Sequence, residues 1–316
     1  RRAPRRLPPP EGFLSALRAP HLVALAGVAF ARLGCASGDR VATLAWNGYR
    51  HFEIYYGVSG SELVCHTINP RLFPQQVAWI INDAQDKVIF VDLNILPLVE
   101  KLVPSLPSVK HVVLMCDRDN MPREHSLPSL LCYEDLIDAE DGHYTWPSFD
   151  ENAAASICYT SGTTGNPKGA VYSHRSSVLH AYAVALPDAM CIKGTDVVLP
   201  VVPMFHVNAW GTPYATALVG CKLVLPGHHL DGASLYQLFE DEGVTMSAGV
   251  PTIWISMAQL LESDPQKYKL PPGVRMLVGG AAMPEALIRT YAKHGAQVTH
   301  GWGMTEMSPL GSASYL

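Results

Sequence analysis

The chain has 316 residues, with 23 basic and 28 acidic side chains and a formal net charge of −5. That balance gives no general basic field for nucleic acid or an anionic membrane, and 48% apolar with 16% charged residues is too apolar for a disordered chain. The seven cysteines (Cys35, Cys65, Cys116, Cys132, Cys158, Cys191 and Cys221) include no CxxC pair, which argues against a disulfide scaffold or structural zinc and for a reducing, cytoplasmic setting.

Residues 1–20 open with RRAPRRLPPP, a basic, proline-rich, non-core segment that cannot form a helix. Its charge ahead of Leu22–Phe30 imitates a secretory signal. However, Leu22, Leu25, Ala26, Ala29 and Leu33 recur at helical spacing and Gly34 can stop that helix. No apolar run reaches the roughly 18 residues of a membrane span. Short apolar or β-branched runs then predict strands at Val41–Trp46, Val64–Ile68, Val88–Asp92, Val112–Met115 and Ser156–Tyr159. Further strands are predicted at Val197–Val202, Lys222–Leu225, Val244–Ala248, Arg275–Val278 and Gln297–His300. Helix-like stretches between them include Pro74–Ala84, Ser176–Ala185, Ser234–Glu242, Ile253–Leu261 and Pro284–His294. The alternation predicts an α/β fold over residues 21–316, mostly parallel sheets covered by helices. Asp117–Asp150 is polar and weakly periodic, and reads as a long loop or a subdomain boundary.

One segment carries most of the chemistry: Thr160-Ser161-Gly162-Thr163-Thr164-Gly165-Asn166-Pro167-Lys168-Gly169, straight after the strand around Cys158. Glycines let backbone N–H groups crowd round an anion, hydroxyls add donors and Lys168 adds positive charge, as a polyphosphate requires. It is not a Walker loop, because Pro167 precedes Lys168 and Gly169 follows it. A GxSxG elbow, a GxGxxG turn and the kinase HRD and DFG sets are missing.

YTSGTTGNPKG resembles the phosphate-binding signature of the adenylate-forming (AMP-binding) superfamily, which includes acyl-CoA synthetases, luciferases and peptide-synthetase adenylation domains. Four later segments support the resemblance in order. PMFHVNAW at Pro203–Trp210 resembles the aromatic–histidine segment, and Gly249–Thr252 the turn near the acyl pocket. Gly279–Ala281 resembles the adenine-contacting turn, and GWGMTE at Gly301–Glu306 the aromatic-Gly-x-Thr-Glu motif. The resemblance is strongest to medium- and long-chain fatty acyl-CoA synthetases. It implies the large N-terminal domain of the acyl-adenylating fold, with the small C-terminal domain absent.

By that resemblance, ATP, magnesium and coenzyme A are the cofactors and co-substrates, and a fatty acid is the substrate. A homodimer stays open. Thr160 and Glu306 would flank the metal, and Thr305 would donate to the α-phosphate. Ser161, Gly162, Thr163, Thr164, Gly165 and Lys168 would hold the β- and γ-phosphates. Trp302 would stack on adenine, with Gly280, His300 and Gly301 lining its pocket. His206 would sit near the reacting carboxylate. Val207 and Trp210 would border the nucleotide and the mouth of an acyl tunnel, although Trp210 reads equally well as core. The family's ribose-gripping aspartate and catalytic lysine lie beyond the motif and do not occur in these residues. The chain is therefore expected to be a fragment, a truncated product or a faulty gene model of a fatty acid–CoA ligase, or else a catalytically impaired nucleotide- or acyl-binding remnant.

Overall fold

The computed structural model describes residues 30–140, 143–160 and 165–315. The basic segment 1–20, most of the helix expected around Leu22–Leu33, and Ser161, Gly162, Thr163 and Thr164 lie outside the described residues. A helical turn at Phe30–Arg32 precedes Gly34, whose φ of +71° is the left-handed conformation that ends a helix.

Among the described residues, strands gather into two sheets. The first contains β1 (Arg40–Leu44), β2 (Val64–Thr67), β3 (Val88–Val91), β4 (His111–Leu114), β5 (Leu130–Cys132), β6 (Ala154–Thr160) and β7 (Lys168–Ser173), in the order β5-β4-β3-β1-β2-β6-β7. The second contains β8 (Val197–Pro200), β9 (Lys222–Leu223), β10 (Met246–Gly249), β11 (Arg275–Val278), β12 (Gln297–Gly303) and β13 (Leu310–Tyr315), in the order β13-β12-β11-β10-β8-β9. Each sheet is parallel except for one antiparallel edge strand, β7 on β6 and β13 on β12.

The central strands are buried on both faces, as parallel strands under helices must be. In β1, Val41 faces a core shared between the two sheets, and Ala42 and Leu44 face a second core on the other side. Helices α1 (Tyr49–Gly60), α2 (Pro74–Ala84), α3 (Leu96–Leu102) and α4 (Tyr133–Asp138) serve the first sheet. In α2, Pro74 takes the first turn, Val77, Ile80, Ile81 and Ala84 make the buried stripe, and Gln85 caps the end at φ +55°. Helix α5 (His174–Ala185) follows β7, its N-terminus capped by the Ser173 side chain on the Ser176 N–H at 3.0 Å. Helices α6 (Thr212–Val219), α7 (Gly232–Glu242), α8 (Pro251–Ser263) and α9 (Glu285–Lys293) serve the second sheet.

The segment read as a loop or boundary, 117–150, contributes β5 and α4 to the first sheet, and the chain crosses to the second sheet between Ser173 and Val197. A buried asparagine joins the sheets. Asn47, just past β1, donates to the carbonyls of Pro200 (2.8 Å) and Val202 (3.0 Å) and accepts from the Met204 N–H (2.7 Å).

Candidate active site

The phosphate-type segment is the connection of an antiparallel hairpin. β6 and β7 pair Cys158 with Ala170, Tyr159 with Gly169 and Thr160 with Lys168, so Thr160 and Lys168 face each other at the mouth of the loop. The Thr160 hydroxyl donates to the Lys168 carbonyl at 3.4 Å. A Cβ on Gly169 would lie 2.6 Å from the end of the Ile157 side chain, so a larger residue there would have to displace it. The Lys168 side chain is exposed.

The Thr-Glu motif is the connection of the other edge hairpin. Between β12 and β13, Thr305–Met307 forms one 3₁₀ turn, with Glu306 exposed. Tyr172 on β7 ties the two hairpins together through its hydroxyl, which donates to the Thr305 carbonyl at 2.5 Å. Burial, with Cys158 and Glu306 nearby, pushes the Tyr172 phenol well above its ordinary range, so it remains a donor. Glu306 opens onto a cavity of about 440 Å³ that Ala170, Tyr172, Ser173, Ser176 and Ser308 also line. Thr160 and Lys168 are not part of that wall.

The aromatic–histidine segment supplies an unusual turn. Val207, Asn208, Ala209 and Trp210 have φ of 42°, 52°, 49° and 56°, and Gly211 follows at 76°. A left-handed turn of four non-glycine residues costs about 1–2 kcal/mol per residue, so the surrounding structure must hold it. His206 precedes it and is exposed. Desolvation by its neighbours lowers the imidazole pKa, leaving the ring neutral at neutral pH. Val207 is buried, and the Trp210 indole, 9% exposed, lies against the Gly279–Gly280 turn. A Cβ on Gly279 would stand 3.2 Å from that ring and 2.7 Å from the Gly301 carbonyl oxygen.

Trp210, Gly279, Gly280 and Gly301 thus form one cluster, and His300 joins it through Nε2, 3.3 Å from the Ala281 carbonyl. Trp302 is 55% exposed with its ring beside Gly311, leaving one indole face open for a planar ligand. A magnesium ion carried by a nucleotide needs one or two carboxylates, the rest of its shell being phosphate oxygens and water. The exposed Glu306 carboxylate fits that requirement, and among the described residues no cluster of three His, Cys, Asp or Glu side chains suggests another metal site.

Sequence reading passed over Tyr172 and Asn208, which hold these pieces together. Tyr172 lies just past the loop motif and reads as a strand aromatic, Asn208 lies inside the aromatic–histidine segment, and only their contacts set them apart.

The two-sheet body is that of the large domain of acyl-CoA ligases. The long-chain-fatty-acid–CoA ligase FadD1 from Archaeoglobus fulgidus superposes with a TM-score of 0.82, covering 99% of this chain and 61% of that one at 21% identity. The AMP-binding enzyme family profile matches residues 21–315, and the chain belongs to that family. The medium-chain-fatty-acid–CoA ligase of Ectopseudomonas oleovorans is 51% identical over 287 residues, 90% of this chain and 52% of that protein. A 3-methylmercaptopropionyl-CoA ligase of Ruegeria lacuscaerulensis is also 51% identical, over 91% of this chain and 53% of its own. The chain spans about half the length of the curated relatives it matches. Among the described residues, no helix is long and apolar enough to cross a membrane.

Proposed function

We propose that this chain is the nucleotide- and acyl-binding part of an ATP-dependent fatty acid–CoA ligase. The observation that carries the reading is the Tyr172–Thr305 hydrogen bond, which holds the Lys168 hairpin against the Thr305–Glu306 turn. In this reading the bond keeps the strand that leads from Lys168 close to the turn that carries Glu306, the pairing of a cation with an oxygen ligand for the metal that a triphosphate needs. The 51% identity to a medium-chain-fatty-acid–CoA ligase supports the substrate class. So does the apolar character of Val207 and Trp210 and of helix α8 from Pro251 to Leu261, a stretch with no carboxylate for an α-amino group.

In this reading a fatty carboxylate oxygen attacks the α-phosphorus of ATP, and pyrophosphate leaves. The thiolate of coenzyme A then attacks the acyl carbon, and AMP leaves. Lys168 and the loop 161–165 hold the β- and γ-phosphates, Thr305 donates to the α-phosphate and Trp302 stacks on adenine. Neutral His206 donates its ring N–H to the incoming carboxylate. Thr160 and Glu306 would hold the magnesium ion, which when bound offsets repulsion between the carboxylate and the polyphosphate. Seven free thiols accord with a cytoplasmic setting.

The test is ATP–pyrophosphate exchange by this chain joined to the C-terminal half of a family member, with fatty acids of graded length, 3-methylmercaptopropionate and amino acids. Exchange is expected with medium- or long-chain fatty acids. Exchange with amino acids alone refutes the substrate class. Magnesium–ATP binding without exchange favours a binding remnant.

A further inference from the structure

The left-handed turn at residues 207–211 is pinned from inside. Asn208 is 2% exposed, and each end of its carboxamide is engaged. Nδ2 donates to the Ser156 hydroxyl at 3.0 Å, while Oδ1 accepts from the Tyr55 hydroxyl at 3.2 Å and from the Cys158 thiol at 3.5 Å. Ser156 and Cys158 belong to β6, the strand that runs into the phosphate-type loop, and Tyr55 belongs to α1 and shares its one hydroxyl proton between Asn208 and the Met204 carbonyl. The turn closes on itself through the Gly211 N–H to the Asn208 carbonyl at 2.9 Å. One buried side chain therefore joins the strand behind Thr160 to the turn that carries His206 on one flank and Trp210 on the other.

We propose that Asn208 is a positioning residue: its carboxamide clamps the left-handed turn to β6 and fixes where His206 and Trp210 stand relative to the phosphate loop. Its consequence for nucleotide binding rests on the functional reading above, whereas the clamp itself does not. Asparagine suits the position twice, because it tolerates positive φ better than other side chains and its amide offers both a donor and an acceptor. A turn held by backbone tolerance alone would need only the first property, and glycine would serve as well.

That contrast gives the experiment, done on the whole chain. Asn208→Gly keeps the backbone freedom and removes the clamp. Ser156→Ala removes one partner and leaves the turn's sequence untouched. Asn208→Asp, the near-isosteric variant, keeps the oxygen acceptor. Amide hydrogen exchange is followed over residues 204–214. Trp210 emission is taken as the difference between each protein and its Trp210→Phe partner. The clamp predicts exchange about tenfold faster in Asn208→Gly and severalfold faster in Ser156→Ala. It also predicts a red-shifted Trp210 difference spectrum in Asn208→Gly and partial rescue by Asn208→Asp. Wild-type exchange and emission in both Asn208→Gly and Ser156→Ala overturn the proposal, and Ser156→Ala decides alone if Asn208→Gly does not fold. Adding magnesium–ATP separates the two readings. Slower exchange over 204–214 in the wild type but not in Asn208→Gly supports transmission through the clamp, and equal slowing in both refutes it. Absence of protection anywhere in the wild type tells against the nucleotide reading and leaves the ligand-free comparison standing as the test of the clamp.

Discussion

The Tyr172 hydroxyl donates a 2.5 Å hydrogen bond to the carbonyl oxygen of Thr305, across 133 residues of sequence. This bond bridges the two antiparallel edge hairpins, one from each sheet. Each hairpin returns from a parallel strand's carboxyl end, the end at which open α/β sheets bind ligands. Removing the hydroxyl leaves the Thr305 carbonyl without this partner and frees the Thr-Glu turn from the Lys168 hairpin. Tyr172→Phe is expected to cost about 1 kcal/mol of stability by urea unfolding. In calorimetry its affinity for magnesium–ATP should fall severalfold. Unchanged affinity would show that the bond does not organise the site.

Glu306 is the exposed carboxylate of that turn, and Glu306→Ala should uncouple nucleotide binding from the metal. In the wild type, calorimetric heats with ATP should be larger with magnesium than with EDTA. In the variant the two titrations should converge. A magnesium effect that survives the substitution removes Glu306 from the metal's ligands.

Much of the fold was legible because its elements are locally determined. Pro74–Ala84 and Arg275–Val278 lie where sequence periodicity puts them, the first set by Pro74 and a regular apolar stripe, the second by a compact apolar run. The edge strands β7 and β13 were not legible, since they are half exposed and contain glycine and serine in place of an apolar run. Helix α1 was hidden for another reason. It buries the polar His51 and Glu53, which face Thr43 and Tyr133, alongside Phe52, Ile54, Tyr55 and Val58, so burial on several sides blurs the helical period. The motifs of the candidate site stand out by composition, but what holds them together does not. Tyr172 reads as one more strand aromatic, and nothing local marks the turn at 207–211, whose Asn208 is engaged by the distant Ser156, Cys158 and Tyr55.

Asn47 makes three of the hydrogen bonds that join the two sheets, which makes Asn47→Ala a sharp test of how far the two halves depend on each other. The substitution strands two carbonyls and one N–H in a buried place. A loss of about 2–4 kcal/mol is expected in equilibrium urea unfolding, because buried groups keep their desolvation cost once the partner is gone. A loss under about 0.5 kcal/mol would mean that water replaces the amide at the joint.

Acid should weaken the region round the left-handed turn through His180. This buried ring on α5 accepts from the Leu310 N–H through Nε2 at 3.1 Å and packs against Gly211, and burial lowers its pKa from 6.5 to about 4. Between those values the unfolded histidine binds a proton that the folded one does not, so its contribution is lost as pH falls through that window. The size is on the order of 3 kcal/mol for a full shift. Asp92, raised by burial to about 6, works in the opposite direction, so the wild-type pH profile blends both. His180→Gln can still accept from Leu310 and does not titrate. The wild type minus His180→Gln stability difference should therefore shift against the wild type from pH 6.5 to 4.5. A flat difference would mean that the ring titrates normally.

The last prediction concerns turnover. Adenylation builds negative charge on the departing pyrophosphate, and on the proposed reading the chain would meet it with Lys168, the loop donors and a metal at Glu306. The family resemblance adds a lysine from the part of the relatives' length that these 316 residues do not span. A fixed charge or donor of that type is worth about 10²–10³ in rate. The chain alone is therefore expected to form acyl-adenylate slowly and to make almost no acyl-CoA. Joined to the C-terminal half of a relative, it should regain thioester synthesis, and Glu306→Ala in that joined protein should abolish it again. Acyl-CoA yield by mass spectrometry compares the three proteins directly. Full yield from the short chain would show that its own hairpins suffice for both half-reactions. No yield from the joined protein, with magnesium–ATP binding intact, would mark the site as one that binds nucleotide without turning it over.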